Sequence, residues 1–380
     1  MKAITGYMVS YIKRTDYVLW LLCFAMSCLS IVLIAGILDT NFTDSLRLTR
    51  RSLLTQSAAT LIGMILAFIL SMIDYRDLAR LWKLYVPACY LLLLFSFFLG
   101  VGTLDRPDDK RWLIVPGIGF HFQPSELLRS AFIVVYAYHI YKSREDINNP
   151  LCLLGLFAHG LLPVLLLYFQ GDAGAALIFA AIIISMLFCA GISWRYIIGA
   201  TALTAVSLPL IWNYILDEFQ KERMRGLFFP TAEDLQGVGF QQFRAEVALA
   251  MGGREGRGIF NSSHIYIPEM HNDFMFSFLG ESMGFVGCLF VIAVMLVIWF
   301  KILHSARGAT DLLGCIICVG VFAMLSFQSI INIGMNISLL PVIGNTLPFL
   351  SCGGSSMLTS YIAIGLVLSV YMHSEKSMFE

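Results

Sequence analysis

The sequence predicts an all-α, polytopic membrane protein, and three observations predict it. Hydrophobic residues make up 58% of the 380 and charged residues only 13%, where a soluble globular domain carries roughly a quarter charged. Apolar stretches of span length recur along the whole chain, each near the about 20 residues a helix needs to cross ~30 Å of hydrocarbon. The formal net charge is zero, which leaves no electrostatic case for a nucleic-acid partner and makes charge placement the informative signal.

The ten apolar stretches lie near 18–38, 53–73, 84–102, 124–142, 151–169, 174–190, 194–214, 274–302, 311–333 and 354–372. Gly171, Asp172 and Gly174 interrupt one short break and Gly191 another, which fits antiparallel helix pairs joined by tight turns. Met1 to Asp16 contains Lys2, Lys13 and Arg14 but no small-residue cleavage site, so the N-terminus is expected to stay in place. Of nine cysteines, eight lie inside apolar runs. Even the Cys315-x-x-Cys318 pair reads as packing material.

Loop cations set the expected orientation. With the N-terminus inside, Lys2, Lys13, Arg14, Arg76, Arg80, Lys83, Lys142, Arg144, Arg195, Lys301, Arg307 and Lys376 face the cytoplasm, twelve in all. The short outer loops hold six: Arg47, Arg50, Arg51, Arg106, Lys110 and Arg111. The reading is one integral membrane domain over 1–380, a multi-pass membrane protein with both termini cytoplasmic. A large extracytoplasmic loop at 215–273 has a soluble composition and is expected to hold a helix near Phe240–Ala250. The segment 334–353, broken by Pro341, Gly344 and Pro348, reads as re-entrant or cavity-lining, because non-helical backbone at membrane depth must be buried in protein.

Ionisable groups beside such spans mark functional sites. Asp273 stands where the long loop enters the eighth span. It reads either as a helix-terminal carboxylate stabilised by the macrodipole or as a general base beside Glu269 and His271. Glu126 and Arg129 share a helix face at i, i+3 after Pro124, either a self-neutralising pair or part of an inward-facing network with Asp172. Gly252-Gly253-Arg254-Glu255-Gly256-Arg257-Gly258 is either a flexible turn or a concave anion site.

Several blocks together resemble the shape, elongation, division and sporulation family, whose members include RodA and FtsW. Phe122-Gln123-Pro124-Ser125-Glu126 is similar to its Q-P-S-E signature, and Ile267 to Phe274 to its P-E-x-H-x-D-F motif, followed by Gly280-Glu281. Gln170, Asp172 and Gly174 match Q-x-D-x-G, Arg111-Trp112 an R-W pair, Phe240-Gln241 a Y-Q element, and Asn332 to Ser356 the C-terminal signature. The Asn-Ile-Gly-Met wording is closer to the RodA branch. Arg129 stands where the family usually has lysine, Asp108-Asp109-Lys110 replace small residues, and Arg244-Ala245 replace a Q-S pair.

The resemblance implies an inverting peptidoglycan glycosyltransferase that polymerises lipid II, with undecaprenyl pyrophosphate as leaving group. It also implies a class B penicillin-binding protein as partner. It casts Asp273 as base and Arg111, Arg129 and Arg257 as pyrophosphate clamps, with Glu126 and Asp172 around Arg129 and with Glu269, His271 and Gln241 lining the substrate site. No ligand spacing argues for a metal, and Asp273 or Glu269 would be the residues to hold a divalent cation such as magnesium or manganese. Two rival readings stay open, a lipid II flippase and a structural scaffold for which Asp273 is dispensable.

Overall fold

The computed structural model describes residues 11, 14–46, 48–102, 110–115, 120–216, 218–228, 231, 237 and 239–374. Lys2, Lys13, Arg47, Arg106, Asp108, Asp109 and Lys376, used in the sequence reading, lie outside the described residues. Twelve longer helices follow in order: α1 (Tyr17–Leu38), α2 (Arg50–Met72), α3 (Trp82–Leu99), α4 (Pro124–Lys142), α5 (Pro150–Phe169) and α6 (Ala173–Cys189). Then come α7 (Trp194–Leu210, continued by a π turn to Ile215), α8 (Glu218–Phe228), α9 (Phe240–Gly252), α10 (Met275–Arg307), α11 (Leu312–Asn336) and α12 (Gly354–Ser374). Leu113–Val115 and Phe120–Phe122 form an antiparallel hairpin, with Leu113 opposite Phe122.

Eight of these helices are long and apolar enough to cross a membrane: α1, α2, α3, α5, α7 with its π turn, α10, α11 and α12. The ninth, α6, is apolar but only 17 residues long. The tenth, α4, carries Glu126 and Arg129, yet almost its whole length from Pro124 to Ala137 is buried. Its surroundings are other helices rather than lipid, which is why it tolerates charge. This is a multi-pass helical membrane fold.

The bundle is centred on α11 and α12, which are about three-quarters enclosed, at 72% and 78%, whereas none of α7 is buried. Small residues let the inner helices approach closely, as expected where lipid offers no hydrophobic drive to pack. Gly320 of α11 lies against Ile133 of α4 and Met186 of α6, and Gly63 of α2 takes the Tyr361 ring of α12. At one end of the bundle Asp16 caps α1 and pairs with Lys301 of α10 at 3.0 Å. At the same end Asp311 caps α11 and accepts from Arg76 at 2.6 Å and from Tyr75 at 3.0 Å.

Two departures from regular helix shape the other end. The sequence predicts an unbroken helix at 274–302, but α10 breaks at Gly284, where φ is 66° and ψ −168°. The segment after α9 fills the gap. Arg257 N–H donates to Glu281 O and Gly258 N–H to Ser282 O, both at 2.9 Å, while Phe285 N–H donates to Gly253 O at 2.9 Å. The glycine-rich stretch is therefore a clip that replaces the missing helical hydrogen bonds. Close contact requires glycine at three of these places: a Cβ on Gly252 or Gly256 of the clip, or on Gly284 opposite, would collide with the facing backbone. The half-helix Met275–Met283 is in this way a separate short rod, mounted on α9 and carrying Asp273 just before its first turn.

The second departure is 337–353, where the chain leaves helix and its later part, Leu347 to Ser351, is buried. Carboxamides serve its backbone. Gln242 Nε2 donates to Met335 O and Leu340 O, at 3.1 and 2.8 Å, and Gln56 bridges Ser351 O and Gly353 N–H, both at 3.1 Å.

The clip predicts a sharp dependence on Gly284. Gly284→Ala combines a positive φ with a backbone collision, and is expected to lower stability by roughly 2 kcal/mol or more. Gly155→Ala and Gly199→Ala, with nothing within 4 Å of a new Cβ, should leave thermal unfolding of the detergent-solubilised protein unchanged or raised.

Candidate functional site

Asp273 is positioned by a tight turn that begins at Glu269, one of three non-glycine residues with positive φ among those described (55°). The Glu269 carbonyl accepts from the N–H groups of Asn272, Asp273 and Phe274 at 3.0, 3.0 and 3.3 Å. This closes the turn and brings the Glu269 side chain alongside Asp273. The carbonyls of 271, 272 and 273 are all bound by the C-terminal half of the chain. His271 O accepts from Cys352 N–H at 2.8 Å, Asn272 O from Ser351 Oγ at 2.5 Å, and Asp273 O from Asn332 and Asn336, both at 2.9 Å.

The carboxylate itself is treated differently. Phe274 is the N-cap of α10 and supplies no side-chain cap, and the Asp273 carboxylate accepts no hydrogen bond among the described residues. It is therefore no capping carboxylate. Burial pushes its pKa up to about 7, the Glu269 carboxylate adds to the rise, and the Arg223 and Arg111 guanidinium groups oppose it. An acid poised near neutrality with its oxygens unused suits proton transfer. Burial lowers the pKa of neighbouring His271, against the pull of Glu269.

Arg111 and Asp172 form the opposite wall. Arg111 Nη2 donates to Gly171 O, and its Nη1 lies 3.8 Å from Asp172 Oδ1. Asp172 caps α6 by accepting from Ala175 N–H at 3.1 Å, and its other oxygen accepts from Gln123 Nε2 at 3.0 Å. Gln170 holds the approach to the hairpin, donating to Ser96 Oγ at 2.6 Å and Lys110 O at 2.8 Å. Gly174 lies against Ile343 O and Asn345, and a Cβ at Gly344 would stand 3.7 Å from Asp273 Oδ2. The first turn of α6, the 343–345 backbone and Asp273 are thus in one place.

The other residues singled out in the sequence divide. Arg129, only 1% exposed, donates to Glu126 at 3.3 Å and to Gln328 at 3.1 Å, and Gln328 passes the chain on to Thr346 and Ser356. It is a buried strut beneath the site. The sequence reading groups Asp172 with Glu126 around Arg129, whereas in the structure Asp172 faces Arg111. Arg257 is held away from Asp273 by Glu281, at 3.0 Å, and by Ser263 at 3.1 Å. Glu281 is fully buried and also accepts from Ile265 N–H at 3.0 and 3.1 Å. Gln241 is half-buried and makes no side-chain hydrogen bond among the described residues, its neighbour Gln242 doing the tying. Among the described residues no three His, Cys, Asp or Glu side chains are grouped to hold a metal ion.

One residue escaped the sequence reading. Arg223 of α8 donates to Val342 O at 2.6 Å and acts electrostatically on Asp273. In the sequence it sits inside a charged run, which reads as a solvated face, and only the fold brings it to the recess.

A multi-pass helical bundle whose half-buried Asp273 carboxyl is raised toward neutrality and acted on by the Arg111 and Arg223 guanidinium groups has the marks of a membrane enzyme. The model of the FtsW, RodA and SpoVE cell cycle proteins matches residues 14–376, and the chain belongs to that family. It is 31% identical over 378 residues to the probable peptidoglycan glycosyltransferase FtsW of Geobacter metallireducens, covering 94% of this chain and 95% of that one. It is 32% identical to stage V sporulation protein E of Bacillus subtilis (88% and 90% covered) and 30% to peptidoglycan glycosyltransferase MrdB of Escherichia coli (76% and 77%). These similar values span the family's branches. Among solved structures it resembles a chain from a work on polymerization and crosslinking by a peptidoglycan synthase complex, with TM-score 0.77, 25% identity and 95% and 98% of the two chains covered. It also shares the fold of Thermus thermophilus RodA, with TM-score 0.65, 24% identity and coverage of 96% and 98%.

The raised pKa of Asp273 fixes the sign of a stability test. Its ordinary value is 3.8 and its folded value about 7, so the folded state holds the extra proton and stability falls as pH rises between those values. Asp273→Asn removes that cost. Its melting temperature should exceed that of the wild type above pH 7, and the gap should close below about pH 4.

Proposed function

We propose that this protein is a peptidoglycan glycosyltransferase that polymerises lipid II, with Asp273 as the general base. The observation that carries the reading is the position of Asp273: its backbone is fixed by Asn332 and Asn336, its carboxylate accepts no hydrogen bond among the described residues, and the Arg111 and Arg223 guanidinium groups act on it electrostatically. Family membership supplies the reaction class, and the relatives' names supply the glycosyltransferase activity.

In this reading Asp273 takes the proton of the acceptor sugar's 4-hydroxyl as that oxygen attacks the anomeric carbon of the donor. The bond from that carbon to the diphosphate oxygen breaks, and the undecaprenyl pyrophosphate leaves with the electron pair. One displacement inverts the anomeric centre. Charge grows on the leaving diphosphate, so guanidinium groups aimed at the recess lower the barrier. Arg111 and Arg223 take this role in preference to Arg129, which is buried in its own network, and Arg257, which belongs to Glu281. Glu269 and Asp172 keep the field at Asp273 from becoming so positive that its carboxylate loses basicity. A divalent cation acting here would use Asp273 or Glu269 with substrate phosphate oxygens completing its shell.

The excess of cations in the loops assigned to the cytoplasm supports placing the Asp273 end of the bundle on the extracytoplasmic side, with both termini inside. The segment 337–353 lines the site there. A class B penicillin-binding protein is the proposed partner, supported by the likeness to a synthase-complex chain.

Purified protein given labelled lipid II, with gel separation of the glycan strands, tests this. Asp273→Asn should reduce the polymerisation rate about 100- to 10,000-fold while remaining folded. Arg111→Ala and Arg223→Ala should each lower kcat/KM about 10- to 100-fold. Strand synthesis by Asp273→Asn at near the wild-type rate would refute the base assignment.

A further inference from the structure

The α10 helix begins without a cap of its own. Phe274 is its N-cap residue and offers no side-chain acceptor, so the first N–H groups need partners from elsewhere. The partner comes from another helix. Asn336, in the last turn of α11, accepts from Ser277 N–H at 3.0 Å and from Ser277 Oγ at 2.6 Å through Oδ1. Through Nδ2 the same carboxamide donates to Asp273 O at 2.9 Å and to Asn332 O at 2.8 Å. Asn332, one turn earlier, donates from Nδ2 to Asp273 O at 2.9 Å and to Asn345 O at 2.5 Å. Both asparagines are fully buried.

We propose that Asn332 and Asn336 are positioning residues for Asp273. Resting on the assignment of Asp273 as base, the proposal adds how that base is aimed. Asp273 lies before the first turn of α10, so its carbonyl has no helical donor, and its own carboxylate is not used to fix it. Without the two amides, the 273–274 peptide plane would be held only indirectly, by the turn at Glu269 and by the Cys352 and Ser351 bonds to the two preceding carbonyls. The clamp works on the backbone and leaves the carboxylate oxygens free for the acceptor hydroxyl. It also sets the distance from Asp273 to the opposing wall, because Asn332 binds Asn345 O beside Gly344, the residue that faces the carboxylate.

Carboxamides suit this place for a chemical reason. One neutral group supplies an acceptor for the helix N–H and a donor for the carbonyl, and brings no charge to compete with Arg111, Arg223, Glu269 and Asp172 for the field at Asp273. Asn336→Asp keeps the acceptor for Ser277 but loses the donor to Asp273 O and adds a buried charge. Asn332→Ser shortens the reach to both carbonyls while keeping a hydroxyl at the site.

The test compares Asn332→Ser, Asn336→Ala, Asn336→Asp and Asp273→Asn in steady-state polymerisation of labelled lipid II, with thermal unfolding and rate–pH profiles in parallel. Misaiming by about 1 Å costs on the order of 100-fold in rate. In folded protein the asparagine variants should lose kcat by that order, with KM within about threefold of the wild type. Their rate–pH profiles should shift, because the carboxylate moves relative to Glu269 and Arg223. If one asparagine variant unfolds, the other decides. Wild-type kcat and an unmoved pH profile in folded Asn332→Ser and Asn336→Ala, with Asp273→Asn inactive, would overturn the positioning role and leave the base assignment standing. Activity in Asp273→Asn would remove the base assignment itself.

Discussion

Backbone that leaves the helix inside a membrane bundle must find partners for its N–H and C=O groups within the protein wherever lipid surrounds it. In this protein the requirement falls on two stretches, the turn at 267–274 and the segment 337–353. Both are served mainly by neutral amides and hydroxyls: Gln56, Gln242, Gln328, Asn332, Asn336 and Ser351. Because the two stretches also bond to each other, through His271 O, Asn272 O and Asp273 O, neither can move alone. The site is rigid because its irregular backbone is cross-braced, and the half-helix below Gly284 can be short because the 252–258 clip completes it.

That bracing bears on the electrostatics. Charged side chains could have satisfied the same carbonyls, but each would have altered the field at Asp273. Neutral amides leave that field to four groups, Arg111, Arg223, Glu269 and Asp172, and the balance between burial and these charges brings the carboxyl near neutrality. Three other buried carboxylates are closed into their own pairs, Glu126 with Arg129 at 3.3 Å, Glu281 with Arg257 at 3.0 Å and Asp16 with Lys301 at 3.0 Å. The first two hold helices together under and beside the recess, and the third does so at the opposite end of the bundle. An ion pair broken at such depth leaves an uncompensated charge, so these pairs couple fold and site more tightly than surface pairs do.

The helical membrane fold was legible in the sequence because hydropathy runs depend on composition alone. Even α4, the least apolar span, showed itself through Pro124 and the i, i+3 spacing of Glu126 and Arg129. Asp273 stood out as a carboxylate at a span boundary, and the family motif drew Asp172, Gln170 and Gln123 to the same region. The break at Gly284 was not legible, since one glycine in an apolar run says nothing about the chain that will fill the gap. For the same reason the Gly-Gly-Arg-Glu-Gly-Arg-Gly stretch reads as an anion loop by itself and as a backbone clip once α10 is beside it. Arg223 was hidden by its charged neighbours. Asn332 and Asn336 were visible as motif letters, but their partners lie 59 and 63 residues away in sequence.

The proposed reaction depends on the ionisation of one carboxyl group. The rate of lipid II polymerisation by the wild-type protein, measured against pH at saturating substrate, reports it. A base that must be deprotonated, with a pKa near 7, predicts a rate that climbs about tenfold per pH unit below that value and levels off above it. A rate that stays flat from pH 5 to pH 8 would contradict a proton-accepting role for Asp273.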